Sequence, residues 1–508
     1  MLPPLFVLFS WPVAGLVLFR KLRLPLALLV TLIGGFLLLP ENRGVNLPVL
    51  PGLDKHSVPA LTALCLALIF GKRDTSGVRP EGLIPRHPLA LALLIVIPAG
   101  AVMTALTNTD TLSYGPRTLP GTSLYDAGSM ASNALMMILP LLLARRYLAD
   151  AATQRLILKV LCLAALGYSL LALFEIRMSP QLNNWTYGFF PHDWQQHIRA
   201  GGWRPIVFLK HGLVLGIFLA MAVLAITCLA RLDAPRRKLW TYGTVWLFAT
   251  LVLSNNFGAL FIAVAFLPVV IFAGIRGQLL VAAIICGVVL AYPVARTGQV
   301  LPFNQVLQLA ESVDPGRAAS FQFRLDHEEQ LLDKASERPL FGWGGWGRQR
   351  VYDERGRDTS VTDGEWILIL GSNGWVGYLS RFGLLTAPIL LLLRHRRRYD
   401  IGMETSALAV VLAANLVDLI PNSSNTPLTW LLAGALWGRL ELQAAARGHE
   451  AAPVAGPARV GYRRGDPPEA AGDPPPVSAS ETTPASTPPQ SAYTRQVRRI
   501  HRKGSTAR

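Results

Sequence analysis

The sequence predicts an all-α, polytopic membrane protein with about twelve or thirteen transmembrane helices, a large outer loop with short helices and a disordered tail. Three observations make that prediction. Apolar stretches near the length needed to cross a hydrocarbon core of about 30 Å recur along the chain. Of its 508 residues, 51% are hydrophobic and only 16% charged, against roughly 25% charged in soluble domains, and mean hydropathy is +0.37. Polar residues are concentrated in one insert, 296–378, and in the end of the chain.

The expected spans run, in order, over 4–19, 24–40, 58–70, 89–106, 126–144, 155–175, 206–230, 239–253, 256–275, 278–295, 379–393, 404–420 and 428–442. Pro3, Pro4 and Pro12 interrupt the first, for which a signal-like or interfacial segment is the alternative. Lys/Arg clusters fall on alternate connections: Arg20/Lys21/Arg23, Lys72/Arg73/Arg79/Arg86, Arg145/Arg146/Arg155, Arg231/Arg236/Arg237/Lys238, Arg276 and Arg394/Arg396/Arg397/Arg398. Loops 41–57 and 107–125 are poor in positive charge. The positive-inside rule puts the clusters in the cytoplasm and loops 177–205 and 296–378 outside. Much of the net charge of +17 is then topological arginine facing an anionic leaflet, and no nucleic-acid partner is needed to explain it. Cys65, Cys162, Cys228 and Cys286 all fall within expected spans. Their spacing suggests neither a disulfide framework nor a metal site.

A membrane domain over 1–445 is therefore expected, followed by a tail over 446–508. Residues 465–489 are mostly Pro, Ser, Thr and Ala with a few acids. Such a segment buries too little apolar area to offset its ordering entropy and is expected to be disordered. The final TRQVRRIHRKGSTAR has no acid. It suits an anionic leaflet or a cytoplasmic partner, or is simply solvated.

In the long insert, residues 296–362 nearly balance basic and acidic side chains. Arg324 opens an expected helix with Leu325, Leu331 and Leu332 on its apolar face, and Pro339 ends it. PLFGWGGWG follows, its glycines free to turn sharply or approach a ligand closely. Trp343 and Trp346 suit either stacking on a sugar ring or anchoring at the bilayer surface. Asp363 and Glu365 precede an apolar run. They either favour a helix N-terminus electrostatically or provide a general base. Arg381, at the start of the next span, either faces a polar cavity or snorkels to the interface.

The other outer segment, 177–211, is dense in aromatics, His and Arg. Arg199 and Arg204 bracket AGGW, and Lys210-His211 comes next to a span. Guanidinium groups match the oxygen pairs of phosphates. His211 is either a proton carrier or an ordinary hydrogen-bonded histidine. Asp418, with Asn415 and Asn422, forms a third polar spot.

These features resemble the O-antigen ligase / O-antigen polymerase superfamily of bacterial polysaccharide assembly. The likeness lies in the many spans and in a large late loop with Arg317 or Arg324, a helix, Pro339-Leu340-Phe341-Gly342-Trp343-Gly344, and then Asp363 through Gly374 and Gly377. Arg199 to His211 echoes an earlier family element. Two departures stand out. Asp363-Gly364 occupies the place where the family often has His-Asn, and Ser254-Asn255-Asn256-Phe257-Gly258 lacks the family's arginine. The family's histidine base is thus not carried over, which favours a polymerase-like enzyme over a ligase.

The resemblance implies a multi-pass protein of the bacterial inner membrane with a periplasmic loop and a cytoplasmic tail. It implies transfer of a glycan from an undecaprenyl-pyrophosphate carrier to a sugar hydroxyl. A departing pyrophosphate calls for pre-arranged cations; Arg204, Arg324 and Arg381 are the first candidates, with Arg199 and Arg317 in reserve. Asp363, Glu365 and His211 are the candidate bases. No metal or cofactor is expected. The partners expected are the lipid-linked glycan, the lipid bilayer and other polysaccharide assembly or export proteins. The alternatives are an O-antigen ligase, a lipid-linked oligosaccharide transporter and an export-complex scaffold. Few charges fall mid-span, which favours an enzyme over a transporter.

Overall fold

Each of the thirteen apolar segments folds as a helix. The computed structural model describes residues 1–46, 51–71, 78–199, 201–298, 300, 303–313, 315–361 and 363–451. About 71% of the described residues are helical, with almost no sheet. The helices are α1 (Pro4–Lys21), α2 (Leu24–Leu38), α3 (Ser57–Phe70), α4 (Pro88–Leu106), α5 (Leu124–Tyr147), α6 (Ala151–Met178), α7 (Leu182–Tyr187), α8 (Gly212–Leu232), α9 (Arg237–Leu253), α10 (Phe257–Phe272), α11 (Ile275–Thr297), α12 (Phe303–Val313), α13 (Pro315–Ser336), α14 (Glu365–His395), α15 (Met403–Asp418) and α16 (Pro427–Ala451). Two short 3-10 helices, Trp194–His197 and Ala234–Arg236, and two small antiparallel hairpins, β1 (Leu112–Tyr114) with β2 (Arg117–Leu119) and β3 (Ile198–Arg199) with β4 (Gly202–Trp203), complete the described elements.

Seven of these helices, α1, α4, α5, α6, α8, α11 and α14, are long and apolar enough to cross a membrane. The chain is a multi-pass membrane protein. Phe6, Ile69, Tyr242, Phe261 and Phe272 point large apolar surfaces away from the protein, a cost in water that a lipid surround removes. Helix α8 is instead buried over nearly its whole length and apolar all round, as a central helix must be.

Local chemistry sets several helix starts. Pro lies in the first turn of α1, α2 and α4, where its missing N–H costs nothing. Ser123 and Asp126 form a capping box on α5, and Asp150 caps α6. Close packing sets other features. On α16, a Cβ at Gly434 or Gly438 would lie 2.1 or 2.3 Å from the Leu141 or Arg145 carbonyl oxygen of α5. The two helices touch backbone to backbone through this small-xxx-small face. Arg145, fully buried, locks the contact by donating to Glu441 and to the carbonyls of Gly82 and Leu83.

The arginine-rich connections gather at one end of the bundle. There Arg231 donates to Val270 and Ala273, and Arg439 donates to Asp400. The loops around 177–211 and 296–364 lie at the other end, where Arg338 reaches Thr107, Asn108 and Asp110.

Four boundaries differ from expectation. The span expected from 206 begins as helix only at Gly212, because 206–211 is a bent, hydrogen-bonded segment. The helix expected to open at Arg324 starts at Pro315, which leaves Arg324 inside it. The insert expected to run to 378 ends at 364, because α14 already begins at Glu365 and buries Trp366, Ile369 and Leu370. Helix α16 also continues past 445 to Ala451; the tail beyond lies outside the described residues.

Candidate functional site

Helix α14 is broken, and its break explains the glycine motif. Gly374 has φ 63° and ψ −166°, which interrupts the helix. A break within a bundle strands backbone groups that must find partners. The 339–344 segment supplies them. The Trp375 and Val376 amides donate to the Pro339 and Leu340 carbonyls at 2.8 and 3.1 Å, and the Trp343 and Gly344 amides donate to Gly371 and Ser372 at 2.8 and 2.9 Å. Gly342 and Gly374 make this crossing possible. A Cβ on Gly342 would lie 2.5 Å from the Ser372 carbonyl carbon, and one on Gly374 would lie 2.3 Å from the Leu340 oxygen. Thr104 and Asn108 hold the far side of the segment through the Phe341 and Gly342 carbonyls.

This corrects the reading of Trp343 as a sugar platform. It is 5% exposed. Its indole N–H donates to the Lys334 carbonyl at 2.6 Å, and the Lys334 ammonium and Arg338 guanidinium lie 3.6 and 4.1 Å from its ring centre. Its faces serve the fold. Trp346 is exposed and remains open to a ligand.

Arg324 and Asp363 meet. The Arg324 Nε is 3.3 Å from an Asp363 carboxylate oxygen, and both side chains are about two-fifths exposed, at 42% and 40%. They share the wall of a cavity of about 560 Å³ whose other walls include Phe261, Phe303, Phe321, Ile367, Val417 and Ile420. Asp363 does not cap α14; the N-cap is Gly364, which has no side chain to offer.

Glu328 joins them on the same wall, a residue that sequence reasoning missed. It lies four positions after Arg324 in α13 and thus on the same helix face, which is the signal that would have found it. Arg296 pairs with it at 3.2 Å, and the Trp366 indole donates to it at 3.0 Å. Burial pushes its carboxyl above the usual range, against the pull of Arg296.

Glu365 occupies a second polar group. It accepts from Asn425 at 3.2 Å and lies within electrostatic reach of Arg381 and Lys210. Arg381 is half-buried and faces this carboxylate. Asp418 accepts from Asn422 at 2.8 Å and from Ser424. Asn415 bonds Thr429 instead, so it does not join Asp418 in one polar spot.

The segment before α8 carries a third group. Its backbone is clamped from below: Glu175 accepts the Ile206 and Val207 amides at 2.8 and 2.7 Å. Lys55 donates to the Phe208 carbonyl at 2.6 Å and pairs with Glu41 at 3.0 Å. Burial raises the Glu41 pKa, but Lys55 and His56 outweigh it and hold the group at about 2. Val207 has φ 56°, a conformation costly for a β-branched residue and sustained here by those bonds. The clamp fixes His211, whose Nδ1 accepts the Leu213 amide at 3.0 Å as the N-cap of α8. Arg204 donates to the Asn255 carbonyl at 3.2 Å and packs against Gly212. The side chains of Arg199 and Arg317 lie outside the described residues.

His211 has company that sequence spacing did not reveal. His192, His197 and His211 offer ring nitrogens that all lie within 4.8 Å of one another.

The chain matches no protein-family model, no curated protein and no solved structure.

Proposed function

We propose that the chain is a polysaccharide polymerase-like glycosyltransferase of the O-antigen ligase/polymerase type, with about twelve or thirteen spans in the bacterial inner membrane. In this reading the basic connections are cytoplasmic and the 296–364 loop is periplasmic. The observation that carries it is the Arg324–Asp363 pair on the wall of a largely apolar cavity, with Glu328 beside it. A lipid-linked pyrophosphate needs such a combination: apolar wall for the prenyl chain and a guanidinium for the phosphate oxygens.

The reaction then follows from competition for Arg324. Pyrophosphate takes the guanidinium and releases a carboxylate. The acceptor hydroxyl gives its proton to Asp363 or Glu328 as its oxygen bonds the anomeric carbon. The bond from that carbon to the pyrophosphate oxygen breaks, and the leaving group departs with its electron pair, held by Arg324. Trp346 offers an exposed ring to the glycan. Polymerase, with another lipid-linked repeat as acceptor, is preferred to ligase for want of the family's histidine at Asp363.

The transporter reading draws on the discontinuous helix α14, since broken helices line transport sites. Its break is filled by the backbone of 339–344, which pairs with Gly371, Ser372, Trp375 and Val376 and weakens that reading.

The test is glycan chain length in a deletion strain complemented with wild type, Arg324→Ala or Asp363→Asn. Lipid-linked single repeats without polymer support a polymerase with this site. Full-length polymer retained on the carrier means a ligase. Normal polymer in the deletion strain overturns the proposal.

A further inference from the structure

We infer that His192, His197 and His211 form a binding site for a first-row divalent cation of the zinc type, independent of the glycosyl-transfer reading. The three rings converge from three places: His192 from the loop after α7, His197 from the end of the 3-10 helix Trp194–His197, and His211 from the start of α8. Their centres lie 4.7 Å (192–211), 4.9 Å (197–211) and 5.7 Å (192–197) apart.

The second observation is His197 itself. It is 0% exposed, and neither ring nitrogen makes a hydrogen bond of good geometry, although the Arg204 backbone lies near enough to favour its protonated form. The buried Nδ1 of His192 lacks one too. Burying polar atoms with nothing to bond is costly, and such groups in a folded protein call for an ion or water.

Three imidazoles with a free fourth position suit zinc, or cobalt in its place, rather than magnesium or calcium, which prefer oxygen. Metal–nitrogen bonds of about 2.0–2.1 Å require the rings to close on the ion from their present spacing. His211 must also give up the Leu213 amide. Coordination through Nδ1 replaces that bond directly, and coordination through Nε2 places a proton on Nδ1. Arg204 opposes added positive charge near His197, and Asp193 favours it.

The test uses full-length, tag-free protein in detergent, stripped with a chelator and titrated with Co²⁺ and Zn²⁺. Gel filtration reports folding, and His395→Gln, outside the trio, is the control. About one ion per chain is expected for wild type and control, with the intense visible absorption of tetrahedral cobalt. His192→Gln, His197→Gln and His211→Gln should each weaken binding at least tenfold. Should His197→Gln fail to fold, zinc protection of wild-type His192 from carbethoxylation, read by mass spectrometry, replaces it. Folded wild type that takes up neither ion at micromolar concentration overturns the site. So do trio variants that bind like wild type, or a His192 that zinc leaves unprotected.

Discussion

At the residue scale, burial separates side chains that look alike in the sequence. Trp343 and Trp346 sit three residues apart in one glycine run, yet one is clamped and the other exposed. Trp343→Ala should cost about 3–5 kcal/mol, visible as a lowered melting temperature in detergent. Trp346→Ala should leave melting unchanged and shorten the glycan. Arg324→Lys keeps the charge and loses the planar fork, so polymer yield should fall roughly tenfold or more while lipid-linked repeats accumulate. His197 makes a pH prediction. Its folded pKa of about 4 lies below its ordinary 6.5, so the unfolded chain takes up the proton first as pH falls. The stabilisation is complete above pH 6.5 and lost as pH drops toward 4. Metal-stripped wild type should therefore lose melting temperature over that window more steeply than His197→Gln. Equal slopes would mean that His197 does not titrate as its burial requires.

At the element scale, the broken helix and the segment that plugs it are one unit. Gly374→Ala forces a side chain into the left-handed region and into the Leu340 carbonyl. Gly342→Ala drives one into the 372–374 backbone. Each should cost more than about 2 kcal/mol and expose 339–344 to protease. A change at Gly345, whose Cβ would meet nothing within 4 Å, should do neither. The motif's first glycine is thus explained by packing, without any ligand. What the sequence concealed was the depth of α14. Residues 365–378 mix polar side chains and glycines with apolar ones, so local composition read them as a short surface helix, separate from the span that follows. Tertiary contacts made them half of a buried helix.

At the scale of the whole molecule, the two ends of the bundle differ in chemistry. Arginine-rich connections cross-link one end, and at the other the long polar loop is tied to the 107–110 connection through Arg338. Single cysteines at Arg355 and at Arg397 should label from opposite sides of the membrane, with 355 accessible from outside. Labelling of both from the same side would overturn the topology. The end of α16 also fixes where a tail deletion belongs: removal of 453–508 spares the helix, whereas removal from 446 cuts its last turn. A deletion of 453–508 should leave chain length normal if the membrane domain is the enzyme, and abolish export if the protein is a scaffold.

That the thirteen apolar segments are helical, and where most of them end, was legible in the sequence, because a helix satisfies its own backbone and needs only a long enough apolar run. The positions of the polar loops followed from the same pattern. Arg324 and Asp363 were legible as separate candidates, but their meeting was not, since they stand 39 residues apart and come together by packing. Glu328 was hidden because its importance comes from the cavity, and the histidine trio because its members are spaced for no familiar ligand motif. Helix by helix, hydrophobicity determined the architecture. Which charges face one another, which tryptophan is free and which histidines converge were decided only when the helices packed.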